Sequence, residues 1–445
     1  MKKVRAGFSV LVFAFLCFSC AFSPSVYKDS DGFVEQGDFN SALSALIEKE
    51  KTYGKKNQVL FYLDTGLLSH FSGEYEDSTE RLSLAESKIL ENNTISISES
   101  VMSAVVNDNS ATYGGEDFED IYINIFKALN FYHLGNLESG MVEVRKIDNK
   151  IRLLTTKYEG IIQETKKEFD ELDSSIKDSI GQGGQKLFSY NFSNSALARY
   201  ISMLYYRHLG QMDDVRIDLQ AVDKAFSSQP HLYPFPAPQK IKDELNVRPS
   251  DGRLNIISFA GRFPVKVESV VSFFIDTVYV KFAFPELKAR PSVVSSVEVE
   301  VENVGTFTLE KIEDMSLIAG ETFNQKRDII YSRSLLRGIS KGVATAASTV
   351  AVSQSGAQNG DTAGLAMLVN IIGNIYSDVS EQADLRLSRY FPGVAYVGGI
   401  TLPPGIYNVR VNYKNKNGYV IYSEYFKDVD VKSGDLNLRE SVCLR

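Results

Sequence analysis

The chain has 445 residues, 44% of them hydrophobic, so it is globular and long enough for two or three domains. Charge is uneven: residues 21–250 carry 35 acidic and 24 basic side chains, net −11, whereas residues 251–445 carry 21 of each. Neither part has the basic excess that phosphate binding needs, which argues against nucleic acid as a ligand.

The N-terminus carries an export pattern: Lys2, Lys3 and Arg5, then an apolar run from Phe8 to Phe18, then small Ser19 before Cys20. At roughly 11 residues the run is shorter than the ~20 a spanning helix needs. Leu16-Cys17-Phe18-Ser19-Cys20 resembles a lipobox, with Cys17 where Leu is usual and Phe18 where a small residue is usual. The resemblance implies that the Cys20 thiol takes a lipid and becomes the N-terminus after cleavage. Residues 1–19 are then signal peptide and 20–30 a tether, the alternative being an ordinary or uncleaved signal. Ala21 is not the Asp that retains many lipoproteins at an inner membrane, which favours an outer-membrane location. Once Cys17 is removed and Cys20 acylated, Cys443 has no disulfide partner in the chain.

Beyond the tether the pattern is helical, and one local signal recurs: Gly37-Asp38-Phe39 with Ala42, Gly73-Glu74-Tyr75 with Ser78, Gly135-Asn136-Leu137 with Gly140, and Gly210-Gln211-Met212 with Val215. Each fits one helix ending at Gly and another starting two residues later, with a small residue at the crossing in the first three copies. This resembles the turn of a tetratricopeptide (TPR) repeat. The glycines are 36, 62 and 75 residues apart, against 34 in a plain array, so insertions interrupt the series. One covers 92–115 with a short helix at 100–106. The other is a long helix from Leu137 to Ile180, with a seam through Ile147, Ile151, Leu154, Tyr158 and Ile161, stopped by a glycine hinge at 181–184. A TPR-like helical repeat domain is expected over 31–228.

Four prolines between Pro230 and Pro238 mark a surface linker over 229–251. From 252 the period becomes two, and strands are expected at Leu254–Ala260, Val270–Phe284, Val293–Glu302, Phe307–Ile312, Val394–Ile400, Tyr407–Tyr413, Tyr419–Val431 and Leu436–Leu444, with a hairpin turn at Asn415–Gly418. The fold class predicted is α+β and multidomain: the helical repeats, then an antiparallel β-sandwich-like domain over 252–445, split by a helical-hairpin insertion at 324–389.

Tyr113-Gly114-Gly115-Glu116-Asp117-Phe118-Glu119, Val142-Glu143-Val144-Arg145 and Ala383-Asp384-Leu385-Arg386, with Leu402-Pro403-Pro404-Gly405 following, make the chain similar to an uncharacterised family of TPR-containing bacterial envelope lipoproteins. A Trp usual in that family after the last Arg is missing; Arg389-Tyr390 stands in its place. The resemblance implies an envelope lipoprotein with a helical repeat domain and a β domain, and no reaction. Glu116, Glu119, Glu143, Arg145, Asp384 and Arg386 are its candidate recognition or structural residues. The run Glu116 to Asp120 otherwise reads as helix N-terminal charge. Glu143 and Arg145, two apart on a helix, face different sides.

No catalytic constellation, metal motif or phosphate loop is found. Three of the four His residues, His70, His133 and His208, are explained by repeat register, without a shared metal site. The expectation is a scaffold with no cofactor and no enzymatic activity, held to the membrane by lipid, binding envelope proteins through its helical surface. An accessory factor or enzyme of cell-wall metabolism, and a subunit of a homo-oligomer, are the alternatives.

Overall fold

A computed structural model describes residues 24–99, 112–171, 192–275, 278–327, 329 and 384–445. The signal with Cys20, the helix expected at 100–106, the glycine hinge at 181–184 and most of the insertion at 324–389 lie outside the described residues.

The N-terminal half is helical: α1 (Lys28–Gln36), α2 (Phe39–Ile47), the single turn α3 (Glu50–Tyr53), α4 (Gln58–Phe71), α5 (Tyr75–Glu99), α6 (Asp117–His133), α7 (Leu137–Asp170), α8 (Ala196–His208) and α9 (Met212–Ser228). The four repeat glycines, Gly37, Gly73, Gly135 and Gly210, take φ of 81°, 83°, 69° and 70°. Only Gly enters that left-handed region at no steric cost. Each closes its helix with the same two bonds: Gly37 N–H to Val34 O with Asp38 N–H to Phe33 O, then Gly73 to His70 with Glu74 to Ser69, and so on through Gly210. This double bond satisfies the last carbonyls of a helix and reverses the chain. The next helix starts two residues on, and α1 with α2, α4 with α5, α6 with α7 and α8 with α9 lie side by side.

At one crossing a missing side chain is required. Tyr205 on α8 donates to Ala128 O on α6 at 2.7 Å and lies against Gly140 of α7, where an added Cβ would stand 2.4 Å from the Tyr205 hydroxyl oxygen. Gly140→Ala should therefore displace Tyr205 and cost on the order of 1–3 kcal/mol, seen as a lower melting temperature. An unchanged melting temperature would mean the crossing gives way freely.

Helix α7 runs 34 residues to Asp170, roughly 50 Å at ~1.5 Å per residue. Its buried side is Ile147, Ile151, Tyr158, Ile162 and Thr165, while Leu154 and Ile161, expected on the seam, are only half-buried. A 3.6-residue period drifts from the strict seam assumed.

The C-terminal part forms sheets. β1 (Gly252–Arg262), β6 (Glu310–Asp314), β7 (Pro392–Leu402) and β10 (Asn437–Cys443) make one, in the order β10-β1-β7-β6. β4 (Ser296–Val301), β5 (Gly305–Thr308), β8 (Gly405–Lys414) and β9 (Val420–Val431) make another, in the order β5-β4-β8-β9. β2 (Val265–Ile275) and β3 (Val278–Lys288) pair only with each other as a hairpin.

Three strand expectations are corrected. Val270–Phe284 spans the hairpin β2–β3, whose Asp276-Thr277 connection lacks the Asn-Gly or Asp-Gly signal that marks a tight turn. Phe307–Ile312 is cut at Leu309 into β5 and β6, which belong to different sheets. Pairing is not wholly antiparallel either, because β1 runs parallel to β10 from Leu254↔Asn437 to Ala260↔Cys443. Parallel neighbours need a long crossover, and here nearly the whole β part lies between them.

β1 is buried on both faces, since alternate residues point opposite ways. Leu254, Ile256 and Ala260 join Val299, Val411 and Val431 of the second sheet in one apolar layer. Ile257 and Phe259 join Phe126, Leu129 and Tyr200 of the helices in another. The result is three layers: helices, first sheet, second sheet. The stretch 229–251, expected as a surface linker, holds buried Leu232, Tyr233, Ile241 and Glu244, so the helices and the first sheet share one core.

Candidate functional site

Four of the candidate residues, Glu116, Glu119, Asp384 and Arg386, meet in a buried polar seam between the helices and the sheets. Glu116 caps α6, and its backbone N–H donates to Glu119 Oε2 at 2.7 Å, closing a capping box. Glu119 Oε2 also accepts from Tyr113 OH at 2.7 Å, and Oε1 accepts from Ser388 N–H at 2.7 Å. Ser388 belongs to the segment 384–391 that leads into β7, so this carboxylate joins α6 to the sheet.

Neighbouring carboxylates repeat the device with different charge. Glu116 accepts from Lys266 Nζ at 2.6 Å and Lys326 Nζ at 2.9 Å. Burial would raise its pKa, but the two ammonium groups outweigh burial and hold it at about 2. Glu119 makes no ion pair with an ammonium group among the described residues, and burial pushes it up to about 7 against the pull of its donors. Asp64 on α4 accepts from Tyr27 OH at 2.7 Å, Ser388 Oγ at 2.9 Å and Arg389 N–H at 2.7 Å, and burial raises it to about 6. Asp384 is buried too, yet the Arg386 guanidinium, which donates to both its oxygens at 2.8 and 2.9 Å, holds it below the usual carboxylate range. Arg386 also reaches Asn57 Oδ1 at 3.1 Å and lies 5.3 Å from the centre of the Tyr113 ring.

The other two candidates lie elsewhere. Glu143 is buried among α5, α6 and α7, accepting from Asn124 Nδ2 at 2.6 Å and Lys146 Nζ at 2.9 Å, with Lys127 Nζ at 3.3 Å. Arg145 is exposed on the opposite side of α7.

Sequence reasoning did not single out Asp64, Lys266 or Ser388. Nor did it find Glu440 on β10, on which His70 and His133 converge: His70 Nε2 lies 3.2 Å from Oε2 and His133 Nε2 lies 2.5 Å from Oε1. Burial would raise Glu440, but the two imidazoles hold it at about 2. Another buried carboxylate, Glu313 on β6, accepts from Tyr122 OH, Ser195 Oγ, Tyr233 OH and the N–H of Leu197 at the start of α8. For Asp64, Glu440 and Glu313 the sequence signal is an acidic residue at an inward strand or helix position.

Both oxygens of Glu116, Glu119 and Asp64 accept bonds, so the seam saturates itself. Among the described residues no group of His, Cys, Asp and Glu could hold a metal ion. The chemistry such a seam performs is attachment: it fixes α4, α6 and the 384–391 segment in one register. No protein-family model, curated protein or solved structure matches the chain.

Proposed function

We propose that the protein is a lipid-anchored adaptor of the bacterial cell envelope, tethered through Cys20, belonging with the TPR-containing lipoproteins it resembles and placed at an outer membrane. The observation that carries the reading is the set of four helix pairs closed by one repeated turn. Stacked pairs of this kind present an extended surface suited to a protein segment. The insertion at 324–389, read as a helical hairpin, and the paired β-sandwich-like sheets offer a second contact region.

The net charge of −11 over 21–250 steers a basic partner toward the repeats. Because the helices share a core with the first sheet, the test belongs in the full chain. Glu76 and Glu80 are exposed one turn apart on α5. Capture of the partner from detergent-solubilised membranes should fall between 0.1 and 1 M salt, as the Debye length shrinks from ~10 to ~3 Å, and should fall again with Glu76→Lys plus Glu80→Lys. Fatty-acid labelling should mark the wild type and not Cys20→Ala. Capture indifferent to both salt and charge reversal would overturn the adaptor role of the repeats. Equal labelling would overturn the tether.

A further inference from the structure

A cleft of about 440 Å³ adjoins the seam, between the end of β1, residues 289–292 and the first turns of the helix that begins at 315. That volume is in the range of small-molecule sites. Its walls are largely apolar, with Leu287, Pro291, Leu317 and Val394 among them, and Arg290 lies in its lining.

Arg290 is anchored but not neutralised. Its Nε donates to Phe263 O at 2.5 Å and its Nη2 to Arg389 O at 2.6 Å, while Nη1 is buried without an acceptor among the described residues. Asp31, whose charge acts on Arg290, is taken by Arg262 and Arg389. Arg262 also reaches the more exposed Glu35 at 3.1 Å. Burial, with Arg262 and Arg389 adding repulsion, lowers Arg290 to about 9. An unpaired buried cation is costly unless something else neutralises it.

We propose that this cleft binds a small monoanion, a carboxylate on a short apolar body, with Arg290 as its charge contact. The apolar walls take the hydrocarbon. Asp314 and Glu321, which also line the cleft, select against a dianion such as phosphate. Gly320 leaves the floor open, because a Cβ added there meets no atom within 4 Å.

The test titrates the full chain with pentanoate, pentanol and inorganic phosphate by calorimetry. Pentanoate should bind at least tenfold more tightly than either of the others, and Arg290→Met should remove that preference. Since Arg290 also ties two backbone carbonyls, Gly320→Leu provides an independent arm: it fills the cleft without touching those bonds and should abolish pentanoate binding while leaving the melting temperature at or above wild type. Equal binding of pentanol or phosphate would overturn the proposal. So would pentanoate binding that survives Gly320→Leu.

Discussion

Stability should be greatest near pH 4, falling as pH rises towards 7 and falling again towards pH 2. Glu119 and Asp64 have folded values of about 7 and about 6, above the ordinary values of about 4.3 and 3.9. Between those limits the folded chain keeps protons that the unfolded chain has released, so each group costs stability as pH rises from about 4 to 7. Glu424, raised by burial to about 7, adds to the same limb. Glu116 and Glu440 act in the opposite sense. Held at about 2 in the fold, they contribute fully above about 4.3, and the contribution is lost as pH falls through 2. Each proton changes the slope by about 1.4 kcal/mol per pH unit. Chemical denaturation at intervals from pH 3 to 8 measures the curve, and Glu119→Gln should flatten its neutral limb. A wild-type profile level from pH 5 to 8 would show that Glu119 and Asp64 are solvated in solution.

Glu116→Ala should be among the most damaging single changes, costing about 3–5 kcal/mol, because it strands the buried Lys266 ammonium without its carboxylate. Lys266 also lies 5.9 Å from the centre of the Tyr113 ring and 5.4 Å from that of Phe323, and neither ring neutralises a buried charge. Adding Lys266→Met to Glu116→Ala removes the stranded cation, so the double variant should be more stable than Glu116→Ala alone. Urea unfolding of the four members of the cycle gives the coupling energy. A loss below about 1 kcal/mol for Glu116→Ala would mean that Lys266 swings out to water, and that the seam is a looser attachment than its distances imply.

What the sequence determined by itself is local. The left-handed turns at Gly37, Gly73, Gly135 and Gly210 follow from the lack of a side chain there, and the helix restarts from the residues next along. The hairpin at Asn415–Gly418 is equally self-contained: Asn415 Oδ1 accepts the N–H of Asn417 and Tyr419, and Gly418 sits at φ 81°. The acidic start of α6 and the opposed faces of Glu143 and Arg145 were legible for the same reason, since helix geometry relates near neighbours.

Only the tertiary structure decided which charges are buried and with whom. Glu119 meets Ser388 across 269 positions, Asp64 meets Arg389 across 325, and His70 meets Glu440 across 370. No local pattern encodes such pairs, because an acidic residue on a helix reads the same whether water or a buried lysine faces it. The parallel pairing of β1 with β10 and the cut at Leu309 between β5 and β6 belong to the same class. An alternating strand records that one face is apolar, and it leaves open which sheet that face will meet.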